Sequence, residues 1–120
     1  MSITVAWLLF ILGIAHIMFG LIKYRAPLSD ALAAGFIGQF KKSELHRTAF
    51  WFVIIGPLIM LAGHVAIHAV AVGDLVLLRI IGGYTFVVSI IGVAAFPKSP
   101  FPASLIVAVL LIAVGYGWLV

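Results

Sequence analysis

The chain has no cysteine, and among its 120 residues only three are acidic and seven basic. Lack of cysteine excludes disulfides, thiolate nucleophiles and thiolate-ligated metals, and with them a thiol-based membrane oxidoreductase. Charged residues make up 8% of the chain, against about 25% in an ordinary globular protein. A water-soluble fold of this length could not hide the rest, because small domains leave much of their surface exposed. Residues 1–5 hold no lysine or arginine. That lacks the positive opening of a secretory signal, so the first apolar run reads as a retained span.

What is there is apolar. Hydrophobic residues account for 66% of the chain and the mean hydropathy is +1.37. Apolar side chains can face hydrocarbon when helices satisfy their own backbone groups. A spanning helix needs about 20 such residues. Four runs qualify, at about 3–22, 47–72, 75–96 and 103–120. The expectation is all-α: a four-helix transmembrane bundle, one membrane domain over 1–120, with a short cytoplasmic amphipathic segment between spans one and two. In that connector, 26–46, Ser29 can cap a helix whose apolar residues Leu32, Phe36 and Phe40 recur every four positions. Such a helix would lie among lipid headgroups. Span two starts near Ser43, with Glu44 in its first turn, where a negative charge suits the helix dipole. Pro57 has no N–H to donate and predicts a kink. Gly73-Asp74 reads as a tight connection between spans two and three, and the three prolines within 97–102 as a break.

The net charge of +4 indicates orientation rather than nucleic-acid binding. Lys23, Arg25, Lys41, Lys42, Arg47 and Lys98 share one side of a four-span topology, and Arg79 stands alone on the other. That asymmetry puts the long connector in the cytoplasm of a bacterial inner membrane and both termini outside. Trp7, Tyr116 and Trp118 near the outer ends, with Tyr24 and Trp51 near the inner ends, fit the same placement. Small residues mark the faces where helices meet in lipid. Span three has Gly82, Thr85, Ser89 and Gly92, and span four Ala113 and Gly117. Span two has Ala62 and Ala66. Gly13, His16 and Gly20 share a face of span one, so His16 is expected in a helix contact. The same stripes would serve a homodimer.

Ionisable residues inside a membrane point by default to function. Folding about Gly73-Asp74 puts His64, His68, Arg79 and Tyr84 at one outer level, a candidate ligand-binding patch. His16, roughly 9 Å from the inner end of its span at about 1.5 Å per residue, groups instead with His46, Glu44 and Arg47. Two histidines four apart, His64 and His68, can supply two ligands to zinc, copper or iron. Two axial haem ligands would need a partner on another helix or in a dimer. The other reading is a site for a lipophilic small molecule, a quinone, isoprenoid or lipid, whose polar end those residues would hold. A histidine there could also act as acid or base near neutral pH. Against both stands a scaffold or partner-binding subunit, in which Arg79 snorkels to the headgroups and His16 donates to a backbone carbonyl of a neighbouring span.

Four spans in so short a chain resemble the small multidrug exporters, dimers that depend on a glutamate embedded in the first span. Here His16 stands in a broadly similar place and no carboxylate lies inside any span, which removes the residue that carries that mechanism. The segments Gly13-Ile14-Ala15-His16 through Gly20, Arg47-Thr48-Ala49-Phe50-Trp51-Phe52, and Gly56-Pro57 resemble a bacterial family of small four-span proteins, a domain of unknown function. The resemblance implies the fold and the membrane, and brings no catalytic role.

Overall fold

The structure is a computed structural model that describes residues 2–97 and 101–119. Met1, Lys98, Ser99 and Pro100 of the expected break, and Val120 lie outside the described residues. Among the described residues five helices follow in order: α1 (Ser2–Lys23), α2 (Arg25–Ala33), α3 (Glu44–Val72), α4 (Leu75–Ala95) and α5 (Phe101–Gly115), with a 3-10 turn at Gln39–Lys41. No strand occurs among the described residues. Helices α1, α3 and α4 are long and apolar enough to cross a membrane. The long axis of 50 Å exceeds the hydrocarbon core of about 30 Å.

The chain forms two helix pairs. Helix α1 runs against α3 along its length, α4 against α5, and the two pairs touch each other much less. Each pair is brought close by glycines. A Cβ on Gly13 would meet Met60, one on Gly56 would meet Ile17, and one on Gly63 would overlap the backbone of Phe10. In the other pair Gly82 sits against Ile112 and Leu111, Gly92 against the Phe101 ring, and Gly115 against Arg79. Ser89, 1% exposed, hydrogen-bonds Ser104 across the pair at 2.7 Å. In lipid, such close approach replaces the hydrophobic drive that water would supply. The pairs join through one core toward the Gly73-Asp74 end, built from Val5, Leu9, Ala66, Leu78, Leu111 and Val114.

Two expectations are corrected by helix ends. The helix of the connector starts at Arg25 and stops at Ala33, so Ser29 lies inside it rather than at its cap. Pro27 falls in the first turn, where a missing N–H costs little. Gly35, at φ 103°, terminates the helix: Phe36 N–H reaches back to the Ala31 carbonyl at 2.8 Å and Gly35 N–H to Leu32 at 3.2 Å, the double bond of a Schellman cap. Leu32, Phe36 and Phe40 therefore do not share a helix face. The fourth apolar run likewise stops short of 120. Gly117 takes φ 77°, and Trp118 N–H bonds the Ala113 carbonyl at 2.8 Å, so Gly117 closes α5 instead of packing on a neighbour. Elsewhere the expected boundaries hold. Ser43 caps α3, Gly73 ends it, and Asp74 caps α4. Helix α3 continues through Pro57.

Candidate functional site

Three polar side chains meet at the end of the molecule where the connector lies. Ser43, in extended backbone conformation, is the N-cap of α3, and its Oγ accepts the His46 N–H at 3.2 Å. His46 stands on the first turn, and its side chain is only 15% exposed. Its Nδ1 lies 2.7 Å from Ser43 Oγ, and its Nε2 lies 2.8 Å from Oδ2 of Asp30 on α2. A carboxylate only accepts, so Nε2 carries the hydrogen toward Asp30. In the neutral ring Nδ1 is then an acceptor and takes the Ser43 hydroxyl hydrogen. Lys42 Nζ is 3.5 Å from the same carboxylate oxygen. The hydrogen bond from His46, then the charge of Lys42, hold the Asp30 carboxyl below the usual carboxylate range.

Two further features surround this chain of hydrogen bonds. The first turn of a helix leaves N–H groups without partners, and those of Glu44 and Leu45 find no acceptor among the described residues. An open apolar concavity of about 360 Å³ is formed by the same connector and the start of α3, lined by Phe36, Ile37, Gly38, Phe40, Lys41 and Phe50. Phe40 stands edge-on to Phe36 at 5.4 Å and tilted against Phe50 at 5.3 Å. Lys41 is two residues before Ser43, and Phe50 is one helical turn beyond His46 on the same face. A second concavity of about 290 Å³ lies between α4 and α5 at the same end, lined by Val88, Ile91, Gly92, Ala95, Phe96 and Phe101.

The residues expected at the inner level separate. His16 Nε2–H donates to the Phe52 carbonyl at 2.7 Å, and its ring stacks on Phe52 at 4.0 Å. It therefore serves the α1–α3 contact, more than a turn away from His46 along α3. Arg47 donates to the Lys41 carbonyl at 3.2 Å. No hydrogen bond or ion pair joins Glu44 to His16, His46 or Arg47. Of that expected group, only His46 belongs to the cluster just described.

At the opposite end, His64 and His68 are both exposed on α3, with the His64 ring edge-on to Phe10 of α1 at 6.4 Å. Arg79 lies along Gly115, its guanidinium 5.0 Å from the centre of the Tyr116 ring. Tyr116 in turn stacks on Trp118 at 5.1 Å. Tyr84 is 75% exposed, beside Gly83, which has open space in front of it. No hydrogen bond or ring contact joins any two of His64, His68, Arg79 and Tyr84. No group of three metal-ligating side chains forms among the described residues, so His64 and His68 gather no third ligand from the described chain.

Asp30 and Ser43 are the residues that reading the sequence as separate runs misses. Ser43-Glu44-Leu45-His46 carries a detectable signal: a capping serine with a hydrogen-bonding side chain three residues on, the spacing of a capping box. Nothing local ties Asp30 to it.

The sequence matches a family of unknown function, DUF6463, over residues 1–117. The chain belongs to that family. No curated protein and no solved structure matches this DUF6463 chain.

Proposed function

We propose that the chain is a four-span protein of a bacterial inner membrane, with both termini outside the cytoplasm, that binds a lipophilic small molecule at the boundary between membrane and cytoplasm. The carrying observation is the apolar concavity between the Phe36–Phe40 aromatics and Phe50, bordered by Lys41, with Lys41 two residues before Ser43 and Phe50 one helical turn beyond His46 of the Asp30–His46–Ser43 chain. An apolar wall with few polar groups at its edge suits a lipid, quinone or isoprenoid. Helix α5 supports the fourth span. It runs antiparallel to α4 from Gly92, which Phe101 covers, to Arg79, which Gly115 covers, and Tyr116 and Trp118 then sit where interfacial aromatics belong. The basic residues in and beside the connector, Lys23, Arg25, Lys41, Lys42 and Arg47, support its cytoplasmic placement.

Native mass spectrometry of protein extracted in mild detergent tests this reading. The wild type should carry a bound lipid or isoprenoid. Replacing Phe40 and Phe50 with alanine should release it, and replacing His64 and His68 with alanine should not. The opposite pattern would move the site to the other end, and an empty wild-type protein after incubation with lipid nanodiscs would overturn it.

A second reading rests on His64 and His68. Polar side chains on an exposed face of a spanning helix are costly in hydrocarbon, and a neighbouring subunit, including a second copy in a homodimer, would satisfy them. Cross-linking through cysteines placed at those two positions would report such a neighbour.

A further inference from the structure

We infer from the geometry that Ser43, His46 and Asp30 form a nucleophilic triad that cleaves carboxylic esters of long acyl chains at the membrane surface. The inference rests on the ligand site proposed above and adds chemistry to it. An N-cap serine needs only its oxygen as an acceptor, and the His46 N–H supplies that bond. The hydroxyl hydrogen is left over, and it is directed at Nδ1 of a ring whose other nitrogen is held by a carboxylate from a different helix. Nucleophile, base and orienting group are thus connected in sequence, the relation that activates serine in acyl transfer. Here Nδ1 rather than Nε2 faces the serine, and conjugation through the ring makes the two nitrogens equivalent in that role.

The reaction follows from the placement. Ser43 Oγ attacks the ester carbonyl carbon while its proton passes to His46 Nδ1, and Asp30 stabilises the resulting imidazolium. The negative oxygen of the tetrahedral intermediate can be met by the open N–H groups of Glu44 and Leu45. The first belongs to the residue after the nucleophile, the position that supplies an oxyanion donor in hydrolases whose serine sits on a strand-to-helix turn; here a 3-10 turn, not a strand, leads into the helix. The carbon–oxygen bond to the alcohol breaks, and the alcohol leaves with the proton from Nδ1. Water then attacks the acyl-serine, giving one proton to Nδ1. As the acyl–serine bond breaks, Nδ1 returns that proton to Oγ and a carboxylic acid is released. The balance is ester plus water to acid plus alcohol, with no other reactant. The substrate class follows from the neighbours: the aromatic concavity suits an acyl chain, and Lys41 in its lining, with Arg47 bonded to the Lys41 carbonyl, favours an anionic headgroup.

The test uses the full chain in nanodiscs containing phosphatidylglycerol, with an alkyl fluorophosphonate probe and a fluorogenic long-chain ester. The wild type should become labelled on Ser43, located by peptide mass spectrometry, and should hydrolyse the ester. Ser43→Asn keeps a good N-cap and removes the nucleophile. It should melt like the wild type, take no label and lose hydrolysis entirely above background. His46→Gln and Asp30→Asn should each lower the rate, by about 100-fold or more for loss of the base. A folded wild type that leaves Ser43 unlabelled, or hydrolysis that survives in Ser43→Asn, overturns the triad. If a bound lipid is still found in that unlabelled protein, the binding site stands without the chemistry. Labelling of Ser43 in a protein that retains no lipid overturns the binding reading instead.

Discussion

Of the glycines, Gly63 lies tightest against the backbone of another helix, and one added carbon there should separate α1 from α3. A Cβ at Gly63 would fall about 2.5 Å from Phe10 Cα, where ordinary contacts start near 3.4 Å. Backbone cannot swing aside like a side chain tip, so the helices must part by roughly 1 Å. A gap of 0.5–1 Å forfeits about a quarter to a half of each dispersion contact, and overpacking of this kind costs about 1–3 kcal/mol. Gly63→Ala alone would understate this, because alanine also favours the helix by about 1 kcal/mol relative to glycine. Gly83 provides the control: it lies inside α4 with nothing within 4 Å of a new Cβ. Gly83→Ala takes the same propensity gain without the clash. The difference between the two variants therefore isolates the crossing, and should be about 1–3 kcal/mol, or roughly 5–150-fold in the folding equilibrium. Reversible unfolding in mixed micelles, followed by circular dichroism, measures it. Equal stability of the two variants would refute the idea that glycine contact holds α1 to α3.

Other substitutions probe the polar contacts. His16→Phe keeps an aromatic ring over Phe52 and removes the donor to its carbonyl. It should cost about 0.6 kcal/mol and at most about 1.7 kcal/mol, the range for hydrogen bonds between helices in membranes, in the same unfolding assay. Asp30 predicts a pH effect of definite sign. Its folded pKa is below the unfolded value, so its contribution is present above the unfolded pKa of about 3.9 and is lost as pH falls through the folded value. Protease cleavage within 34–42 should therefore be slower in the wild type than in Asp30→Asn near neutral pH. The gap should close in strongly acidic buffer, and a gap independent of pH would contradict the Asp30–His46 link. A periplasm-active reporter fused after residue 120 should be active, and cytoplasmic activity instead would reverse the orientation drawn from the charges.

Much of this architecture is written in local signals. Apolar run length located α1, α3 and α4, and Ser43, Gly73 and Asp74 marked helix ends because each acts on backbone groups a few residues away. The shared face of Gly13, His16 and Gly20 placed His16 against α3, although it could not reveal the Phe52 carbonyl as its acceptor. The connector was harder. A four-residue spacing of apolar groups looks helical until one asks which residue stops the helix, and Gly35 stops it just before Phe36, itself at φ 70°. The link from Asp30 to His46 spans 16 positions and exists only after α2 folds back on α3. Fold-back about Gly73-Asp74 could match residues by depth, and so proposed His64, His68, Arg79 and Tyr84 together. It could not fix rotation about each helix axis, and rotation turned Tyr84 outward and laid Arg79 on α5.

The pairing of α1 with α3, and of α4 with α5, also orders the molecule in time. Each pair is contiguous in the chain apart from its connector, so the first can close before the second has left the ribosome. Contacts within a pair are closer in sequence than those of α1 with α5 across the seam, and so form sooner. The seam through Leu9, Leu78 and Leu111 needs both halves and must be made last. A nascent chain halted after residue 73 would already hold the Asp30–His46–Ser43 cluster, with nothing from α4 or α5 required to build it.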